Sequence, residues 1–176
     1  MSEFWTQQFR HRMMKFASRR PPRDDEVPVS IKIRVTSGCF HREHSPHAYD
    51  LIDRHLSSSS PDQTDFAFEE HESGPEILVY LAVTTAGITL AKSIIDLITA
   101  IVKARSDGIR QGDHPRDPLK LSIRRTRRDG EFEEEEVMQF ESRDGFLEIE
   151  IEEPLSAAAN RLLRKELPND SDRNKT

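Results

Sequence analysis

Hydrophobic and polar positions alternate or recur along most of this chain, and the period of that recurrence assigns the elements. Val29, Ile31, Ile33 and Val35 alternate with Ser30, Lys32 and Arg34, which predicts a half-buried strand over 27–35. Ser45-Pro46 places a capping residue ahead of a first-turn proline, and Ala48, Leu51, Ile52, His55 and Leu56 then form one helical stripe. Ser57–Ser60 and Pro61 close that helix. Thr64 to Glu70 predicts a second strand with Phe66 and Phe68 inward, and Gly74-Pro75 breaks the chain after it. Near the N-terminus, Phe4, Trp5, Phe9, Met13 and Phe16 share one side of a helix over 1–20 that Pro21-Pro22 ends.

The segment from Ile77 to Val102 is the richest in apolar residues. Fifteen residues between Glu76 and Lys92 carry no charge, short of the roughly 20 a spanning helix needs. Lys92 and Asp96 would each cost roughly 2.5–3.5 kcal/mol near the centre of a span. Thr85, Thr89, Lys92, Asp96, Thr99 and Lys103 follow a four-three-four-three-four spacing, one polar stripe down a helix, with Leu90, Ile94, Leu97, Ile98 and Ile101 opposite. Ala82 and Ala86, and Gly87 and Ala91, are each four apart, so another backbone can approach that face. The pattern predicts one long apolar helix, buried on most sides, with the small-residue face and Lys92 and Asp96 as a place for a partner or a second copy. Membrane insertion through this helix and the basic N-terminus is the alternative.

Beyond it, Asp129-Gly130 and Asp144-Gly145 are two-residue hairpin signals. Closing the first pairs Leu119 with Phe140 and Leu121 with Met138; closing the second pairs Phe140 with Ile149 and Met138 with Ile151. Both turns build one apolar surface across three strands, and a one-residue slip would destroy it. Leu155, Ala158, Leu162 and Leu163 give a C-terminal helix starting near Pro154, and Pro168 onward is a polar tail.

Charge refines this picture. The net charge of −6 brings no general attraction to nucleic acid. The run Lys120, Arg124, Arg125, Arg127 and Arg128 is basic, but the hairpin register sets Arg128 opposite Glu131, Arg125 opposite Glu134 and Arg124 opposite Glu135. These residues are most simply each other's partners. Residues 1–23 hold six Arg or Lys and one Glu. A single cysteine, Cys39, excludes an internal disulfide framework and suits a reducing cytoplasm. No secretory or twin-arginine signal is recognisable.

Catalytic signatures are absent: there is no phosphate-cradling glycine loop and no nucleophile elbow. Cys39, His41, His44 and His47 lie within nine residues. Thiolate and imidazole are zinc ligands, but this spacing matches no established zinc pattern, and a solvated loop with scattered histidines is the plainer reading. No metal or cofactor is therefore expected.

Strand, short helix, strand, small-residue-rich apolar helix over Ile77–Ala104 ending in Lys103 and Arg105, then a strand opening Leu119-Lys-Leu-Ser-Ile123: this order resembles the effector-associated constant component family of bacteria. The resemblance spans about Val27 to Phe140 and rests on pattern. It implies a small non-enzymatic component of a bacterial conflict system, coupled to an effector such as a peptidase or NTPase. The loop Ser106–Pro118, the basic helix and the third C-terminal strand with its helix depart from the family pattern.

The expectation is thus an α+β protein: β-α-β, a long apolar helix, a three-stranded antiparallel meander and a C-terminal helix. Residues 1–23 form a basic amphipathic helix, 27–167 a single domain and 168–176 a disordered tail. Trp5, Phe9, Met13, Ala82, Ala86, Gly87, Ala91, Lys92 and Asp96 are the expected interaction residues of a cytoplasmic adaptor.

Overall fold

Alternating apolar residues at Ile31, Ile33 and Val35 build the middle strand of a five-stranded antiparallel sheet with α-helices on both faces. The computed structural model describes residues 3–58, 66–84, 87, 88, 90–126, 130–141 and 151–164, the side chains of residues 3–6, 8 and 9 excepted. In chain order the elements are α1 (Glu3–Arg19), β1 (Val27–Gly38), α2 (Pro46–Ser58), β2 (Phe66–His71), β3 (Gly74–Val83), α3 (Lys92–Arg110), β4 (Arg116–Thr126), β5 (Phe132–Phe140) and α4 (Glu152–Arg164). The strand order is β2-β3-β1-β4-β5.

The long apolar helix does not form. Its first seven residues belong to β3, hydrogen-bonded to β2 on one side and β1 on the other, with Ile77 opposite both Phe68 and Ile33. Residues 77–83 read Ile-Leu-Val-Tyr-Leu-Ala-Val, a β-branched and aromatic run. A strand with neighbours on both edges and cover on both faces loses the alternation that would have revealed it. Thr84 and Gly87 close a tight bridge, with Gly87 at φ +100, a conformation that favours glycine. The helical period holds only from Lys92: Ile94, Leu97, Ile98 and Ile101 are buried while Lys92, Asp96 and Lys103 are exposed. The helix then continues to Arg110, so the loop expected at Ser106–Pro118 shrinks to residues 111–115. Among the described residues, no helix is long and apolar enough to cross a membrane.

One sheet face is apolar. Ile31, Ile33, Val35, Ile77, Val79, Leu121 and Ile123 meet α2, α3 and α4 there in a single core. Each fully buried aliphatic side chain stabilises the fold by about 1.5–3 kcal/mol. On the opposite face, α1 lies across the β2–β3 end. Phe16 stacks on Tyr80 at 5.8 Å between ring centroids, and Arg12 donates to Glu69 at 3.1 Å.

The C-terminal register is half as expected. Leu119 pairs with Phe140 and Leu121 with Met138. A shift between Leu121 and Ser122 then moves the pairing by one residue, so Arg124 faces Glu134 and Arg125 faces Glu133. Val137 is the extra residue on β5, a β-bulge that two-residue periodicity does not announce. Arg127, Arg128, the Asp144-Gly145 turn, the strand after it and the tail from 168 lie outside the described residues. Ile151, expected in that third strand, immediately precedes α4, where its carbonyl accepts from Leu155 N–H. Leu155, Ala158, Leu162 and Leu163 are the buried stripe of α4, joined by Ala159.

Candidate functional site

The end of β1 forms one wall of a cleft of about 420 Å3, closed by the start of β4 and by Glu72 and Ser73 of the β2–β3 turn. The β1–β4 register shifts there, between Thr36 and Gly38. Cys39 (φ 59) and Asp117 (φ 63) are the two non-glycine residues with positive φ among those described, and both line this cleft. Left-handed backbone at a non-glycine residue costs about 1–3 kcal/mol and collects where a structure does something specific.

Arg105, from α3, lies beneath the cleft and is 3% exposed. Its guanidinium donates to the Ser37 hydroxyl at 3.1 Å and the Asp117 carbonyl at 2.8 Å. The Ser37 hydroxyl in turn reaches the carbonyls of Arg116 and Asp117. Burial pulls the Arg105 pKa down, and its two acceptors are a hydroxyl and a carbonyl, neither of them a carboxylate. One α3 side chain thereby holds the strained start of β4 against β1.

The loop after β1 is anchored at several points. Phe40 is fully buried, and its carbonyl accepts from Tyr49 O–H at 3.2 Å. The His41 carbonyl accepts from the amides of His44 (3.1 Å) and Ser45 (2.8 Å). Arg42 forks between Asp53 of α2 and Glu70 of β2, at 2.7 and 2.6 Å, and its guanidinium lies 5.0 Å from the Tyr49 ring centre. The Arg42 hydrogen bond holds the Asp53 carboxyl below its ordinary range.

This loop brings Cys39, His41 and His44 together, their Sγ and ring-nitrogen atoms all within 4.8 Å of one another. His47, the fourth member of the sequence cluster, turns away: its Nδ1 lies 2.7 Å from the buried Asp113 carboxylate. Asp113 also accepts from the amides of His47 (3.2 Å) and Ala48 (2.9 Å). It thus caps α2, a role expected of Ser45, whose buried hydroxyl has no hydrogen-bond partner among the described residues.

The second feature is the sheet face that α1 leaves open, where charges interlock. Glu76 accepts from Arg34 at 2.7 Å and lies 3.2 Å from Lys32 and 3.1 Å from His71. Burial alone would raise the Glu76 pKa; Arg34, Lys32 and His71 outweigh it and hold the carboxyl low. Glu134 takes Arg34 (2.8 Å), Arg124 (2.6 Å) and the Ser122 hydroxyl (2.7 Å), and it too is held low against its burial. Lys120 meets Glu136 at 3.3 Å. At the far end, the Arg124 guanidinium covers the Phe132 ring at 4.2 Å, and Phe132 is 58% exposed. Glu69, His71 and Glu76 also cluster at metal-ligand distances, but Lys32, Arg34 and Arg12 already neutralise those carboxylates.

The expected interaction residues scatter. Trp5 and Phe9 lie on α1, and Met13 is half-buried there. Ala82 sits in β3 opposite Pro28 of β1. Ala86 lies outside the described residues. Gly87 is in the bridge, where a Cβ would stand 2.6 Å from Asn160 Oδ1. Ala91, Lys92 and Asp96 are exposed at the start of α3. Strand, turn and helix thus divide residues expected on one small-residue helix face. The close helix approach lies elsewhere, at Gly108 of α3, where a Cβ would come within 3.0 Å of Ala48 of α2. A glycine inside an otherwise periodic helix was the signal for it. Comparison with family models, with curated proteins and with solved structures gave no match.

Proposed function

We propose that this protein is a non-enzymatic adaptor that binds an effector protein of a bacterial defence system, and that the open sheet face receives the partner. The observation that carries the reading is the Arg124–Phe132 pair at the edge of an ion-paired platform. Arginine and aromatic side chains are enriched at protein–protein contacts, and an exposed phenylalanine gains by being covered. The platform's cations, Lys32, Arg34, Lys120 and Arg124, are matched in place by Glu69, Glu76, Glu134 and Glu136. A balanced surface offers little to a polyanion and supports a protein partner over nucleic acid. The effector class, a peptidase or NTPase, is the part that rests on the resemblance.

The test is co-purification of the tagged full chain with products of neighbouring genes, followed by titration of the captured partner. The double variant Phe132→Ala/Arg124→Ala should bind at least about tenfold more weakly, about 1.4 kcal/mol, and Phe132→Ala alone, which leaves the Arg124–Glu134 ion pair in place, should also weaken binding while keeping its melting temperature near wild type. A Lys92→Ala/Asp96→Ala variant should bind as wild type. Loss of binding through the α3 pair instead would move the docking surface to that helix.

A further inference from the structure

We infer that Cys39, His41 and His44 form a binding site for one divalent transition-metal ion of the zinc class, with its fourth coordination position open to the cleft. One thiol and two imidazoles are the donor set that a borderline-soft ion selects over calcium or magnesium. Ligand atoms around a tetrahedral zinc stand roughly 3.3–3.8 Å apart, given metal–nitrogen and metal–sulfur bonds of about 2.0–2.1 and 2.3 Å. The three donors here already lie within 4.8 Å of one another, so small rotations about their side-chain bonds close the site.

Three further observations distinguish this cluster from a chance gathering of polar side chains. First, its donor atoms are uncommitted: among the described residues, none of the three side chains makes a hydrogen bond or an ion pair, and the two imidazole rings lie against each other, at 4.6 Å between ring centres. The Glu69–His71–Glu76 cluster is the internal contrast, since Lys32 and Arg34 already occupy its carboxylates. Second, the backbone is held in an unfavourable conformation at the ligand itself, with Cys39 at φ 59. Third, the loop is pinned between its ligands, by the buried Phe40 between Cys39 and His41 and by Arg42 between the two histidines, so little order remains to be imposed on binding.

Cys39 and His41 line the cleft, so water or a side chain of a docked protein can complete the coordination there. Three protein ligands and an open position describe an accessible site, in contrast to the four-ligand closed sites that serve structure alone. On binding, the Cys39 thiol proton passes to solvent and the thiolate takes its place on the metal. The inference does not depend on the adaptor reading.

Dialysis of the reduced, chelator-stripped full chain against zinc, and separately against cobalt, tests it. One equivalent should bind, and the cobalt form should show the intense thiolate-to-metal charge-transfer band and the visible bands of a tetrahedral ion. Cys39→Ser should abolish the charge-transfer band. His44→Ala, at an exposed position, should weaken zinc binding by more than about tenfold while leaving the circular dichroism spectrum unchanged. His11→Asn, on α1, should change nothing. Failure to retain stoichiometric zinc, full affinity in both Cys39→Ser and His44→Ala, or a bound ion lost in His71→Asn instead, would each overturn the assignment.

Discussion

Glu76 shows how a single side chain is fixed by its surroundings. Its side chain is 6% exposed, and Arg34, Lys32 and His71 converge on it. Its folded pKa lies below the ordinary glutamate value of about 4.3, so its stabilising contribution is complete above that value. It is lost as pH falls through the lower folded value, and Glu134 behaves the same way. Melting temperature should therefore drop on acidification below about pH 4.3. Glu76→Gln should lower stability by about 2 kcal/mol at neutral pH and flatten that acid limb. An acid limb of unchanged slope in Glu76→Gln would show that other carboxylates set it. Asp113 is a second such residue. Asp113→Ala leaves two α2 amides and the His47 ring without their acceptor and should cost about 2 kcal/mol in urea unfolding.

At the scale of elements, α2 and α3 meet where Gly108 passes Ala48. A Cβ on Gly108 would stand 2.2 Å from Asp113 Oδ2 and 3.0 Å from the Ala48 backbone nitrogen. Gly108→Ala, which raises helix propensity at an exposed site, should here destabilise by about 2–3 kcal/mol because backbone and a committed carboxylate must move. A gain in melting temperature would show that the contact relaxes freely. β1 and α4 were legible because each has one clean buried face, at Ile31, Ile33 and Val35 and at Leu155, Ala158, Leu162 and Leu163. β3 was not, because a central strand covered on both faces has no period, and its run abutted the true helical stripe beginning at Lys92. The bulge at Val137 likewise left no mark in the alternation, and it moved Arg124 from Glu135 to Glu134. Of the Cys39–His47 cluster, sequence proximity identified the members; only the loop's hydrogen bonds and Asp113 separate His47 from the other three.

For the whole molecule, the sheet divides the labour. One face is filled by α2, α3 and α4, and the other is shared between α1 and an ion-paired platform that ends at Phe132. The cleft holding Cys39 and His41 adjoins this platform, since Lys120 belongs to both. A partner seated on the platform would therefore also lie beside the cleft. Amine cross-linking of the full chain to its captured partner, read by mass spectrometry, tests this placement most directly. Cross-links from Lys120 and Lys32, on the open face, are predicted, and they should disappear with Phe132→Ala/Arg124→Ala. Cross-links confined to Lys92 and Lys103, on the exposed side of α3, would contradict it.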